Sequence, residues 1–176
     1  MILGLDLSTS IVGATVLNNE GEMIYCESWD LRNKNHFPSL FEKAQRVKQM
    51  LEILYDVKKY DINEVFIEQS LQAFRPGFSS AKTLLTLAKF SGIISYICQR
   101  AYLKPPEYIA ATSARKACGI KVERGKKAKE VVLNFLLDNI DDFSVEYTKY
   151  GNPKPGSYDR ADSYVIAKAG WIKLNS

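Results

Sequence analysis

The chain has 176 residues, 46% hydrophobic and 25% charged, which fits one globular domain built on a packed core. Its net charge of +4 is mild, no apolar run reaches the length of a membrane span, and its one histidine, His36, argues against histidine-based triads and histidine-rich zinc sites. Cys26, Cys98 and Cys118 have neither metal-ligand spacing nor the even number of a disulfide framework, and the N-terminus has no basic region with a cleavage site, so a reducing cytoplasm is the expected compartment.

Residues 2–8, 11–18 and 22–30 read as three strands. Asn18 to Gly21, "NNEG", is a hairpin turn, and the tight Ser8-Thr9-Ser10 corner suits another, so an antiparallel meander is predicted. Ser39 and Glu42 have capping-box spacing, and Leu40, Ala44, Val47, Leu51 and Leu54 form the apolar stripe of the helix they open. "EVFIEQ", Glu64 to Gln69, is a short strand, and 70–79 is a loop marked by Pro76-Gly77.

The stretch from about Ser80 to Tyr102 reads as a long helix that is apolar nearly all round, from Leu84 and Leu85 to Ile97 and Cys98. Two apolar faces need two partners. One is the sheet; the other is a second subunit or further parts of the same chain. Gly92, with Ser91 and Ser95, would allow a close helix crossing, and a homodimer through this helix is the favoured reading. "PEYIAA", Pro106 to Ala111, is a last strand, "TSARKACG" a capped helical turn, and 125–137 a helix with a basic start. Residues 144–157 read as an irregular loop, and a final helix starts near Ser157. The order predicts an α/β fold with a mixed sheet in a single domain, 1–176.

The chemistry rests on carboxylates. Asp6 interrupts the first apolar strand and Glu68 ends a second. Asp159 and Asp162 are three apart and share a helix face. That pair alone is either turned inward or an ordinary set of solvated acids near a helix N-terminus. If the final helix packs its start across the two strands, all four acids converge. Such a cluster needs protonation or bound cations, and an all-oxygen set without histidine suits Mg²⁺ or Mn²⁺. Two such ions can activate a water and stabilise a leaving oxygen in phosphodiester hydrolysis. Ser8 to Ser10 would leave room for a phosphate backbone beside Asp6. "RKACGIKVERGKKAK", Arg115 to Lys129, contains one acid among many basic residues; it is a polyanion contact or a solvated helix start.

"ILGLDLSTSIVGATVL", "VFIEQ", "ATSARKACG…GKKAKEVV" and "YDRADSYVIAKAG" together resemble, in order and spacing, the RuvC-like Holliday junction resolvases of the ribonuclease H-like, or retroviral-integrase-like, superfamily. The resemblance spans nearly the whole chain and is compatible with a phage or viral member. It implies a five-stranded sheet, three strands antiparallel and two parallel, flanked by helices. It also implies a homodimer and nicking of two strands of a four-way junction, with roles in DNA recombination and repair. Carried over position by position, Asp6, Glu68, Asp159 and Asp162 are the metal ligands for two Mg²⁺ ions, which Mn²⁺ could replace. Lys126, Lys127 and Lys129 match lysines that contact DNA near the cut, and Lys126 is assigned a catalytic role. Arg75, Lys82, Arg115, Lys116 and Arg124 complete the expected phosphate contacts. Where the family carries an aromatic wedge three residues after its glutamate, this chain has Leu71, and the nearest aromatic is Phe74. Either can unstack bases. The loop 144–157 is longer than usual in the family, and His36 is far in sequence from the last acid, where some relatives have a histidine.

Other readings are weaker. "GLDLSTS" resembles the first phosphate loop of actin-like and sugar kinases, but the second domain and glycine-rich second loop of those folds are missing. A nuclease of the same fold acting on RNA–DNA hybrids or flaps, a non-catalytic branched-DNA-binding module and a scaffold with incidental acids are the alternatives. The four acids argue against the non-catalytic module.

Overall fold

Alternation along the first two strands sets the architecture. The computed structural model describes residues 1–69 and 81–176. In β1 (Ile2–Asp6) and β2 (Ile11–Leu17), every second side chain faces each side of the sheet. Leu3, Leu5, Val12, Ala14 and Val16 enter one core with Val65 and Ile67, while Ile2, Leu17 and Phe66 enter a second core on the opposite face. Both faces are therefore covered, which explains why these strands are apolar almost throughout.

The sheet has five strands in the order β3-β2-β1-β4-β5, with β3 (Met23–Asp30), β4 (Glu64–Glu68) and β5 (Glu107–Ile109). The first three strands are antiparallel, and β1, β4 and β5 run parallel. This is the mixed sheet expected from the sequence. The first core is closed by α1 (Leu40–Glu52), which continues into a π-helical turn at Ile53–Val57, and by α2 (Ala81–Tyr102). Ser39 and Glu42 form the expected capping box. The second core is closed by α3 (Ala111–Ala117), α4 (Ala128–Asn139) and α5 (Ser157–Leu174).

Several boundaries differ from the sequence reading. The last strand is only three residues long, because Ala110 caps α3 with extended backbone; no side chain caps that helix, and Thr112 lies inside it. The basic helix α4 starts at Ala128, not 125, because Gly125 has φ +85° and turns the chain just before it. Lys126 and Lys127 therefore precede the helix. The stretch 144–157 is not wholly irregular: Tyr147 and Pro153 pair as an antiparallel bridge. In α2, Ser91 faces inward with Phe90, Ile94 and Cys98, and its hydroxyl lies 3.1 Å from that of Tyr108. The open side of α2 carries Leu85, Ala88, Gly92 and Tyr96 instead.

Helix α5 is the centre of the second core and lies flush on the sheet. A Cβ at Gly13 would sit 1.9 Å from the carbonyl oxygen of Asp159, and one at Gly4 2.5 Å from the backbone nitrogen of Ala167. At the far end, Gly170 gives the same close approach to the ring of Phe66. The register is pinned by the buried hydroxyls of Thr15 and Ser163, 2.9 Å apart. Any side chain larger than hydrogen at Gly4 or Gly13 lifts the helix off the sheet. Gly13→Ala is expected to destabilise the fold by about 2 kcal/mol or more, since backbone rather than a flexible side chain must move. Urea denaturation reads this as a lower midpoint; an unchanged midpoint would refute the close-packing account.

Candidate active site

The same contact builds the site. Asp6 pairs with Gly13 across β1 and β2, and Gly13 touches the backbone of Asp159. Asp6 follows Gly4 with strand period two, so it faces α5. Leu5 is level with Ile67 in the parallel pair, so the next residues, Asp6 and Glu68, end neighbouring strands side by side. Phe66 packs against Gly170 of α5, and Glu68, two residues on, shares that face. Asp159 and Asp162 look down from the first turns of α5. Three elements thus bring the four predicted acids to the carboxyl ends of the two central strands, where ligands bind in open α/β sheets.

All four are partly buried. Burial raises the Asp6 carboxyl well above the usual range, and the charges of Glu68, Asp162 and Asp159 add to it. Glu68 is pushed up to about 7, first by burial and then by Asp162. Asp159 and Asp162 are raised for the same first reason. Lys129 opposes these shifts at all four acids, and Arg115 does so at Glu68 and Asp162. The Lys129 ammonium lies 3.7 Å from Asp162. Burial draws its own pKa down, but the four carboxylates outweigh that and raise it.

The cluster holds more carboxylates than cations, and its donors are all oxygen, which matches a hard divalent ion. It is not a formed metal cage: among the described residues, no group of three or more acidic, histidine or cysteine side chains is placed to hold a metal ion. The acids fit such an ion by charge and donor type and would have to close around it.

The predicted basic residues divide. Lys129 reaches the acids; Lys126 is exposed and forms no ion pair among the described residues, and Lys127 pairs with Glu130 at 2.9 Å. Arg115 and Lys116 line a cleft of about 380 Å³ with Lys121 on the α3 side. Arg124 and Lys82 are exposed. Leu71, Phe74 and Arg75 lie outside the described residues. The Ser8 hydroxyl accepts from the backbone N–H of Ser10 and Ile11 and donates to the Ile11 carbonyl, so it holds the β1–β2 corner. Lys43 of α1 donates to the Thr9 carbonyl of the same corner. One charge not foreseen is Arg32, just past β3, which is held by Asp30 at 2.6 Å and, after Lys129, works against the burial that raises the Asp159 pKa. Nothing in its surroundings in the sequence distinguishes it from an ordinary exposed arginine. Gly4 and Gly13 are a second feature of the site, and their signal lies in the sequence: glycine inside an apolar strand marks close backbone approach.

No protein-family model matches the sequence, and no curated protein matches it. Solved structures do match. Thermus thermophilus RuvC in complex with a Holliday junction substrate aligns with a TM-score of 0.66 at 14% identity, over 99% of this chain and 94% of that one. A second T. thermophilus RuvC structure aligns with a TM-score of 0.63 at 13% identity, over 99% and 95%. The yeast mitochondrial Holliday junction resolvase Ydc2 aligns with a TM-score of 0.60 at 15% identity, over 98% and 80%. The chain therefore has the RuvC-like form of the ribonuclease H-like fold.

The raised carboxyl groups have a consequence for stability. A group whose pKa is higher folded than unfolded binds more protons in the folded state, so folding stability falls as pH rises between the two values. For Glu68 that window runs from its ordinary 4.5 to about 7. The metal-free protein is expected to lose stability across this window, and Glu68→Gln to flatten the loss. Denaturation midpoints measured in chelator between pH 4.5 and pH 8 test it; identical pH profiles for the two proteins would contradict the buried cluster.

Proposed function

We propose that the chain is a divalent-metal-dependent endonuclease that resolves four-way DNA junctions by paired nicks. The observation that carries this is the convergence of Asp6, Glu68, Asp159 and Asp162 at the carboxyl ends of β1 and β4, on a fold shared with junction resolvases. Asp6, Glu68, Asp159 and Asp162 would hold two Mg²⁺ ions, which Mn²⁺ could replace. When bound, such ions supply an activated water and stabilise the leaving oxygen.

The chain's own residues do the rest. β1 and β4 hold the backbones of Asp6 and Glu68 side by side, and the flush seat of α5 brings the first turns bearing Asp159 and Asp162 over them. Lys129, whose ammonium already faces Asp162, offers its charge to a phosphate oxygen at the cut. Arg115 and Lys116 beside their cleft, with Arg124, Lys126 and Lys127 ahead of α4, neutralise neighbouring phosphates. In this reading the lysine at the reacting centre is Lys129, and Lys126 binds DNA outside it. With about six phosphate contacts, affinity should fall with salt at a log–log slope near −5.

A four-way junction has an approximate two-fold axis, and a two-fold dimer would present one acidic pocket to each of two strands. The open stripe of α2 suits that dimer: Leu85 and Tyr96 are more than half exposed, and among the described residues nothing lies within 4 Å of a Cβ at Gly92. Flaps and RNA–DNA hybrids are the competing substrates.

Asp6→Asn is expected to abolish cleavage of a labelled four-way junction in Mg²⁺ while preserving binding in EDTA; retained cleavage would reject the assignment of Asp6. Stronger cutting of a hybrid or flap than of the junction would replace the substrate reading and leave the chemistry standing. Leu85→Glu with Tyr96→Glu is expected to give a monomer by analytical ultracentrifugation and to replace paired nicks with single ones. A dimer that survives both substitutions would exclude the α2 interface.

A further inference from the structure

Just ahead of α5 the chain folds back on itself. The Lys154 N–H donates to the Glu146 carbonyl at 2.8 Å, and the Thr148 N–H to the Asn152 carbonyl at 2.8 Å. The Gly151 N–H closes the turn on the Thr148 carbonyl at 2.9 Å, with Gly151 at φ +78°. A Lys154–Glu146 ion pair ties the two arms. The hairpin is anchored at its base: Arg160 donates to the Ser144 carbonyl at 3.1 Å and to the Cys26 carbonyl at 2.9 Å, and stacks over Phe143.

This ordered hairpin holds its aromatics out of the core. Tyr150 is 77% exposed and Tyr147 52%. The Lys149 ammonium stands 4.9 Å from the Tyr150 ring centre, and Lys149 forms no ion pair among the described residues. The fold gains little from presenting an aromatic ring and a free cation at one tip; a ligand with a flat face and a negative charge would use both.

The base of the hairpin lies near the acids. Gly156, two residues beyond the hairpin, packs on Ser28 of β3; Ser28 pairs with Gly13, and Gly13 with Asp6. Two strand spacings, about 10 Å, separate Ser28 from Asp6.

We propose that the hairpin 146–154 is a second DNA contact, in which the Tyr150 ring stacks on an unpaired base at the branch while Lys149 neutralises the adjoining phosphate. It rests on the reading of the chain as a branched-DNA nuclease and adds to it a source of preference for branches. Paired duplex bases offer no free face, whereas bases at a branch point or in a single strand do. Lys149 contributes to any DNA; Tyr150 contributes only where a base is exposed.

Binding is measured in metal-free buffer on an Asp6→Asn background, using a four-way junction, a single-stranded oligonucleotide and an intact duplex. Tyr150→Ala is expected to weaken junction and single-strand binding about tenfold, with little effect on duplex. Tyr150→Phe, which keeps the ring, restores it. Lys149→Ala is expected to reduce the salt slope by about one on every DNA, a change that Tyr150→Ala does not make. Unchanged junction and single-strand affinity in a natively folded Tyr150→Ala protein would overturn the hairpin contact. If the wild type fails to cut a junction in Mg²⁺, the resolvase reading falls by itself, and the single-strand comparison still decides the hairpin. Failure to bind any of the three DNAs overturns both.

Discussion

The close seat of α5 on the glycine floor of β1 and β2 is the contact from which the rest follows. With hydrogen in place of a side chain at Gly4 and Gly13, helix backbone meets strand backbone. That contact lets residues 159 and 162 share space with residues 6 and 68. One side-chain layer between helix and sheet would add several ångströms and hold the carboxylates apart. The same helix carries much of the second hydrophobic core, including Ala161, Tyr164, Val165 and Ile166. The geometry of the acidic cluster and core packing are therefore one constraint.

The second consequence is electrostatic. Like charges about 4 Å apart at an effective dielectric near 20 repel by about 4 kcal/mol. Four acids facing one ion-paired lysine form a site that is uncomfortable when fully ionised, and the raised carboxyl groups express this. Arg115, Arg32 and Lys129 lessen the repulsion without cancelling it. A hard divalent cation would relieve it, so the energy that disfavours the bare cluster becomes affinity for the ion. Around this acidic centre, exposed basic side chains lie ahead of α4 and on α3.

Much of this was legible in the chain. An acid inside or ending an apolar strand is out of pattern, and Asp6 and Glu68 stood out for that reason. The three-residue spacing of Asp159 and Asp162 on the final helix gave the shared face, and the capping box marked the start of α1. What was not legible depends on turns and distances. Which lysine meets the acids hinges on the left-handed Gly125, which leaves Lys126 and Lys127 before the helix and puts Lys129 within its first turn. The hairpin at 146–154 was hidden because its glycines and prolines read as loop composition, while its order comes from backbone bonds that no residue type announces. The inward turn of Ser91 could not be known before the sheet edge bearing Tyr108 was placed.

The central claim is that Asp6, Glu68, Asp159 and Asp162 form one cation-binding centre. The most direct measurement is anomalous diffraction from crystals grown with Mn²⁺. The account predicts manganese peaks among these carboxylates, with the Lys129 ammonium displaced from Asp162. Manganese found only elsewhere, with Lys129 still paired to Asp162, would contradict it.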